Sequence, residues 1–250
     1  MAIFKECGLE VERYRYYDSR SNGLDYDGMI QDLTDAPEGS IVLLHACAHN
    51  PTGCDPTSSQ WKDISDLCKQ RKLVVFFDSA YQGFASGDAE KDAAALRMFV
   101  NEGHNILLAQ SFAKNFGLYG ERCGTLSVLT NSEEEKARVM SQLKLIIRPM
   151  YSSPPIHGSS IVRTVLSDDK LRDQYYGECE LMANRIGRMR ELLVQKLKEA
   201  GSVHDWSHIT SQIGMFAFTG TFLFFLLHPF LYCRNLLTFL MRNLCSRLKL

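Results

Sequence analysis

A chain of 250 residues, 45% apolar and 23% charged, has the composition of an ordinary globular protein and is long enough to bury a core without disulfides or metals. Its net charge of −1 gives no global field for nucleic acid or acidic partners, although the stretch from Trp206 to Leu250 carries no acid and four bases, Arg234, Arg242, Arg247 and Lys249. The eight cysteines, at 7, 47, 54, 68, 123, 179, 233 and 245, form no C-x-x-C pair, which argues against a zinc knuckle or thioredoxin-like site and fits a reducing compartment.

Residues 1–40 are mixed and polar, with turn signals at Ser21-Asn22-Gly23 and Pro37-Glu38-Gly39. The first residues, Met1 to Cys7, lack the long apolar stretch of a signal peptide and the Arg/Ser-rich character of a transit segment. Ile41–His45 is an apolar run that predicts a buried strand, and it leads into the loop Asn50-Pro51-Thr52-Gly53. Trp61, Ile64, Leu67 and Cys68 have helical spacing over 57–71. Leu73–Phe77 predicts a second strand ending in Asp78, and residues 88–102 a helix. Asn105–Ala109 predicts a third strand ending near Ser111, and Leu126–Leu129 a fourth. This alternation predicts an α/β fold with a mainly parallel sheet and flanking helices. In such sheets functional groups gather at the carboxyl ends of strands, where His45, Asp78 and Ser111 fall. Helices are expected over 132–147 and 168–200, the many charges of the second reading as a solvated face. From Trp206 to Cys233 no residue is charged. A spanning helix needs about 20 apolar residues, so membrane contact of this tail is an alternative, opposed by Gly214, Gly220 and Pro229.

Three motifs carry chemistry. They are His45-Ala46-Cys47-Ala48-His49-Asn50-Pro51-Thr52-Gly53, then Asp78-Ser79-Ala80-Tyr81-Gln82-Gly83-Phe84, then a stretch from Gln110 to Gly124 containing Ser111, Lys114, Gly117, Gly120 and Arg122. A lysine after a strand is ordinarily a surface charge. Ser-x-x-Lys followed by two glycines, in order after the other two motifs, is far more specific. The second and third motifs resemble the signatures of the class I aminotransferases, and the first narrows the resemblance to the aspartate aminotransferase branch, over roughly residues 1–219.

The resemblance implies the α/β large domain of the fold type I enzymes that use pyridoxal 5'-phosphate. It implies the exchange of L-aspartate and 2-oxoglutarate for oxaloacetate and L-glutamate, with Lys114 forming the Schiff base and moving the α-proton. Asp78 would be the carboxylate beside the cofactor's ring nitrogen, keeping it protonated. Tyr81 and Asn50 would donate to its phenolic oxygen. Ser111 and Arg122 would hold the phosphate, with Gly117, Gly120 and Gly124 allowing close backbone approach. Arg148, within Arg148-Pro149-Met150-Tyr151, would bind the side-chain carboxylate of a dicarboxylic substrate, with Asn50 also at the substrate, reaching into the site of a second subunit. His45 and His49 would support the cofactor from behind. Implied partners are dicarboxylic amino acids, 2-oxo acids and a second copy of the chain; no metal or nucleic acid is implied. Placement is expected in the cytoplasm, with an organelle as the alternative.

Departures are also legible. Ala113 and Ser153 replace residues common in relatives. The family's N-terminal phosphate loop and ring-stacking aromatic have no counterpart in this sequence, so the sheet is expected to lack strands and expose an edge. Ile213–Thr219 resembles a strand of the family's small domain, whereas 221–250 departs and offers no arginine for the substrate α-carboxylate. The expected organisation is an incomplete large domain over 1–169, a partial small domain over 170–220 and a divergent tail over 221–250. A catalytically dead homologue that acts by binding a full-length partner or a membrane is the alternative to an enzyme.

Overall fold

The computed structural model describes residues 2–217, which lie within one compact unit. In chain order the elements are α1 (Ala2–Glu6), β1 (Tyr17–Asp18), β2 (Gly23–Leu24), α2 (Tyr26–Asp35), β3 (Ile41–His45), α3 (Ser58–Gln70), β4 (Val74–Ser79), α4 (Ala89–Asp92), α5 (Ala94–Asn101), β5 (Leu107–Ser111), β6 (Gly124–Val128), α6 (Glu133–Met150), α7 (His157–Ser167), α8 (Asp169–Glu199) and α9 (Ser207–Ser211). The order across the main sheet is β3-β4-β5-β6; the first three run parallel and β6 antiparallel to β5. The turn signal at Ser21-Asn22-Gly23 closes the small β1–β2 hairpin.

Register fixes which side chains face the core. Val42 pairs with Val75, and Leu44 with Phe77. These four are buried on one face of the sheet beneath α2, α3 and α5, with Met29, Leu33, Trp61, Ile64, Cys68 and Phe99. Phe77 meets Phe99 edge-to-face at 5.1 Å, a favoured aromatic geometry. The alternate residues, Leu43 and His45 on β3 and Phe76 and Asp78 on β4, are half-buried on the opposite face. One face therefore builds the core while the other is available at its carboxyl end for chemistry.

Helix starts follow local chemistry. Thr57 caps α3 in a capping box, accepting from the Gln60 amide while the Gln60 side chain accepts from the Thr57 amide. Asp168 caps α8 by accepting from the Lys170 and Leu171 amides.

Four expectations need correction. The helix over 88–102 is two helices broken at Ala93, next to the buried Asp92, whose carboxylate accepts from the Gly83, Ala85 and Ser86 amides. The helix expected to stop at 147 continues to Met150 with Pro149 in its last turn, where the break that a proline imposes coincides with the helix end. α2 forms within the mixed and polar stretch 1–40, and α7 forms in a stretch for which the sequence predicts no element. Finally, Ile213–Ala217 is not a strand: no strand among the described residues pairs with it, and its carbonyls turn inward to a side chain of α8.

No helix among the described residues is long and apolar enough to cross a membrane. The tail over 221–250, like residues 218–220 of the expected small-domain strand, lies outside the described residues.

Candidate active site

Three strand ends and the loops after them build the site. β3 ends in His45, which pairs across the ladder with Asp78 of β4. The Ala46 amide donates to the Asp78 carbonyl at 3.0 Å, holding the loop that follows β3 against β4. Within that loop the Asp55 carboxylate accepts from the Ala48 and His49 amides at 2.6 and 2.8 Å. The Asn50 amide donates to His45 Nδ1 at 3.1 Å, so the tautomer of His45 that carries its proton on Nε2 is selected. Gly53 has φ +68 and faces the Phe216 and Ile213 carbonyls at 2.7 and 3.0 Å from where a Cβ would stand; only glycine fits.

The loop after β4 carries Tyr81, buried with Ala48, Phe84 and Cys179. Its shape is set by Asp92 accepting from three amides and the Ser86 hydroxyl. The loop after β5 carries Lys114 and closes with the Gly117 amide donating to the Lys114 carbonyl at 3.0 Å. Gln82 joins these two loops: its side-chain oxygen accepts from Gln110 at 2.7 Å and its carbonyl from the Asn115 side chain at 3.2 Å.

The result is a cavity of about 220 Å³ lined by His45, Cys47, Asn50, Asp78, Ala80, Tyr81, Ser111 and Lys114. The Lys114 amine lies 5.6 Å from the centroid of the Tyr81 ring. Five of the seven residues singled out from sequence, Asn50, Asp78, Tyr81, Ser111 and Lys114, thus meet in one place. The other two do not join them. Arg122 is exposed, in the left-handed region at φ 51, and donates to the Tyr119 carbonyl of its own loop at 3.2 Å. Arg148 is exposed in the last turn of α6, a helix that buries no side chain. Gly124 also has a different task from the one expected. A Cβ there would stand 2.6 Å from the Gln110 carbonyl, so its smallness serves the pairing of β6 with β5.

Electrostatics suit a proton-handling site. Burial pushes the Tyr81 phenol above its ordinary value, and Tyr119 and Asp78 push the same way, so the hydroxyl is a neutral donor near pH 7. Burial lowers His45, and Asp78 opposes that shift. Burial and the neighbouring His45 lower His49 to about 3. His49 stacks on Tyr16 at 3.8 Å and bonds the Thr52 hydroxyl through Nδ1 at 2.9 Å; it does not line the cavity. Cys47 lines the cavity although sequence reasoning passed over it; its place in the His45–Gly53 motif was the available signal. No cluster of metal-ligating side chains occurs among the described residues.

This donor set fits pyridoxal phosphate in part. An amine, a carboxylate, a phenol, an amide and a hydroxyl converge on one cavity, which suits the aldehyde, ring nitrogen and phenolic oxygen of that molecule. For the phosphate, Ser111 lines the cavity, whereas Arg122 does not line it and bonds the Tyr119 carbonyl instead.

Comparison with known proteins agrees with that chemistry. The family description aminotransferase class I and II matches residues 1–221. The mitochondrial aspartate aminotransferase of Dictyostelium discoideum is 59% identical over 218 residues, which are 87% of this chain and 51% of that protein. The cytoplasmic aspartate aminotransferase of Oryza sativa subsp. japonica is 56% identical over the same share of this chain and 54% of its own. Among solved structures, a mitochondrial aspartate aminotransferase from Trypanosoma brucei superimposes with a TM-score of 0.85 at 50% identity, covering 88% of this chain and 57% of that one. An aromatic-amino-acid aminotransferase from Burkholderia pseudomallei, covalently bound to pyridoxal phosphate, gives 0.86 at 48% identity, covering 88% and 55%. The chain spans about half the length of the curated relatives it matches.

Proposed function

The chain belongs to the class I and II aminotransferases, and from that premise we propose that it carries the lysine-bearing part of an aspartate transaminase, which exchanges L-aspartate and 2-oxoglutarate for oxaloacetate and L-glutamate. Its mainly parallel sheet with flanking helices is that of the fold type I transferases that use pyridoxal phosphate. The observation that carries the reading is the convergence of Lys114, Asp78, Tyr81, Asn50 and Ser111 on one cavity at strand carboxyl ends.

Bound there, pyridoxal phosphate would supply an electron sink for a carbanion at the α-carbon of an amino acid. The chain's own residues would do the rest. The Lys114 amine takes a proton from the α-carbon and returns it, as a general base. The Asp78 carboxylate would hold a proton on the ring nitrogen, with His45 paired beside it in the ladder. Tyr81 and the Asn50 side chain would donate to the phenolic oxygen. Ser111 would hold the phosphate, with Arg122, whose one side-chain bond among the described residues is to the Tyr119 carbonyl, as its second ligand. Arg148 takes the distal carboxylate of a dicarboxylic substrate in a second copy of the chain, which accounts for its exposed position away from its own Lys114. We assign residues 1–169 to an incomplete cofactor-binding domain, 170–220 to a partial small domain and 221–250 to a divergent tail. Relatives carry both mitochondrial and cytoplasmic names. The free thiols among the described residues, Cys7, Cys47, Cys54, Cys68, Cys123 and Cys179, fit a reducing compartment, and we place the chain in the cytoplasm with an organelle as the alternative.

The test is spectroscopic. The purified chain, titrated with pyridoxal phosphate, is expected to develop a visible absorbance band that the Lys114→Ala variant lacks. Aspartate should change that band at concentrations where alanine does not. An identical band in Lys114→Ala would remove the assignment.

A further inference from the structure

Arg190 is a buried guanidinium on α8 with no carboxylate beside it among the described residues. Taking such a charge out of water is costly unless its donors are satisfied. Here they are spent on backbone: Nη1 donates to the carbonyls of Ile209, at 2.9 Å, and Gln212, and Nη2 to those of Gly214 and Phe216, at 2.7 and 2.5 Å. One planar fork thus gathers one carbonyl of α9 and three of the segment after it, which forms no regular structure. A Leu or Met would fill the same place more cheaply if packing were the only need.

The gathered segment lies against the cofactor wall. The Ile213 amide donates to the Gly53 carbonyl at 2.9 Å. Gly53 leaves room for the Phe216 carbonyl, and Gly214 leaves room for Ala48. The Phe216 ring stands edge-on to Tyr81, with centroids 5.8 Å apart. α8 reaches Tyr81 a second way, through Cys179 in the same buried cluster. Cys179 and Arg190 are eleven residues apart, three helical turns, and so share one face of α8 with Val194.

We propose that Arg190 is a positioning residue for the site: by clamping residues 209–216 it fixes the 46–55 loop and the ring of Tyr81, and so couples α8 to the hydrogen-bond donors of the cofactor pocket. The proposal builds on the functional reading above for the identity of the pocket's ligand, while the clamp itself stands on geometry. Because α8 holds Tyr81 at two points, a small rotation of α8 moves the Tyr81 hydroxyl and the Asn50 loop together.

The experiment compares the wild-type chain with Arg190→Met, Arg190→Lys and Phe216→Ala. Hydrogen exchange is followed by mass spectrometry, and the titration of Tyr81 is read in the near-ultraviolet as the difference from Tyr81→Phe. With pyridoxal phosphate present, the pH midpoint of the visible absorbance is read as well. In Arg190→Met, exchange over 46–55 and 209–216 should rise by roughly tenfold or more, a factor equivalent to about 1.4 kcal/mol of lost protection, with 26–35 and 58–70 unchanged. Tyr81 should titrate closer to its ordinary value as its cover loosens, and the absorbance midpoint should move with it. Arg190→Lys should recover part of both effects. Phe216→Ala, which leaves the clamp intact and alters an already part-exposed ring, should shift Tyr81 without releasing 209–213; it also carries the test if Arg190→Met does not fold. Unchanged exchange in Arg190→Lys and Arg190→Met, or a Tyr81 titration indifferent to both Phe216→Ala and the Arg190 variants, would overturn the proposal. A wild-type chain without the visible band defeats the cofactor reading alone, since exchange and Tyr81 titration still decide the clamp.

Discussion

His49 shows how one residue of the loop behind the site sets a pH dependence for the whole chain. Its ring stacks on Tyr16 and faces His45, and burial together with that neighbour lowers its folded pKa to about 3. In the unfolded chain a histidine titrates near ~6.5. Between these values the unfolded state binds the extra proton, so stability contributed by neutral His49 is full above the unfolded value and is lost as pH falls toward 3. Asp55, raised by burial, acts in the opposite sense, which is why a difference measurement is needed. Urea unfolding of the wild type and His49→Gln, compared at pH ~7.5 and pH ~5, should show the wild type losing more stability than the variant. Equal losses would place the proton elsewhere. A second residue, Phe77, tests the core beneath the site: it is fully buried on β4 between Trp61 and Phe99. Phe77→Ala should cost about 3–5 kcal/mol by the usual large-to-small behaviour, read from the shift in the urea midpoint.

At the scale of elements, α3 is the clearest instance of sequence dictating structure. Thr57→Ala removes one half of the capping box and should lower stability by about 0.5–2 kcal/mol, while Thr57→Asn should hold it; a variant pair with equal stability would show that packing of Trp61 and Ile64 alone sets the helix start. The strands were equally legible, because apolar runs ending in His45, Asp78 and Ser111 coincide with β3, β4 and β5 to within two residues. Three of the motifs fell at their carboxyl ends as a parallel sheet requires, and five site residues follow from that. What the sequence left obscure depends on long-range partners. Ile213–Ala217 has a strand's composition, but a strand needs a neighbour to pair with, and Arg190 takes its carbonyls first. The break at Ala93 depends on Asp92 bonding amides nine to six residues earlier. Arg122 was assigned by its motif, yet its side chain has no tie to the cavity and bonds the nearest carbonyl. Arg190 is one of many charges on α8, and no local pattern in the sequence marks it as the one that turns inward.

For the whole molecule, large apolar side chains are left in water on α6 and its surroundings: Leu126, Leu145, Ile146, Met150 and Tyr151 are each more than half exposed. Exposed apolar area of this kind marks an interaction surface, and a second copy of the chain is the occupant that the assignment of Arg148 requires. Sedimentation velocity should therefore show self-association that Leu145→Asp with Ile146→Asp weakens. Turnover should nonetheless be poor for the 250-residue chain by itself, because the tail over 221–250 offers no arginine matching the one that the family uses for the substrate α-carboxylate. Loss of one buried charge-assisted pair at a site typically costs ~2–5 kcal/mol, which is roughly 30-fold to several thousand-fold at about 1.4 kcal/mol per tenfold. Oxaloacetate formation with saturating cofactor measures this, and a rate matching an intact relative would show that the remaining residues suffice.

The proposed site depends on Lys114 being the residue that takes the cofactor. The chain is incubated with pyridoxal phosphate, reduced with borohydride, digested with trypsin and mapped by mass spectrometry. Lys114 is half-buried in the cavity with Asp78, Tyr81 and Ser111, whereas exposed lysines such as Lys72 and Lys136 have only solvent and single ion pairs around them. The predicted result is cofactor mass fixed first at Lys114, seen as a peptide running uncut through that position, with little at other lysines. Cofactor spread over the exposed lysines with Lys114 unmodified would contradict the account.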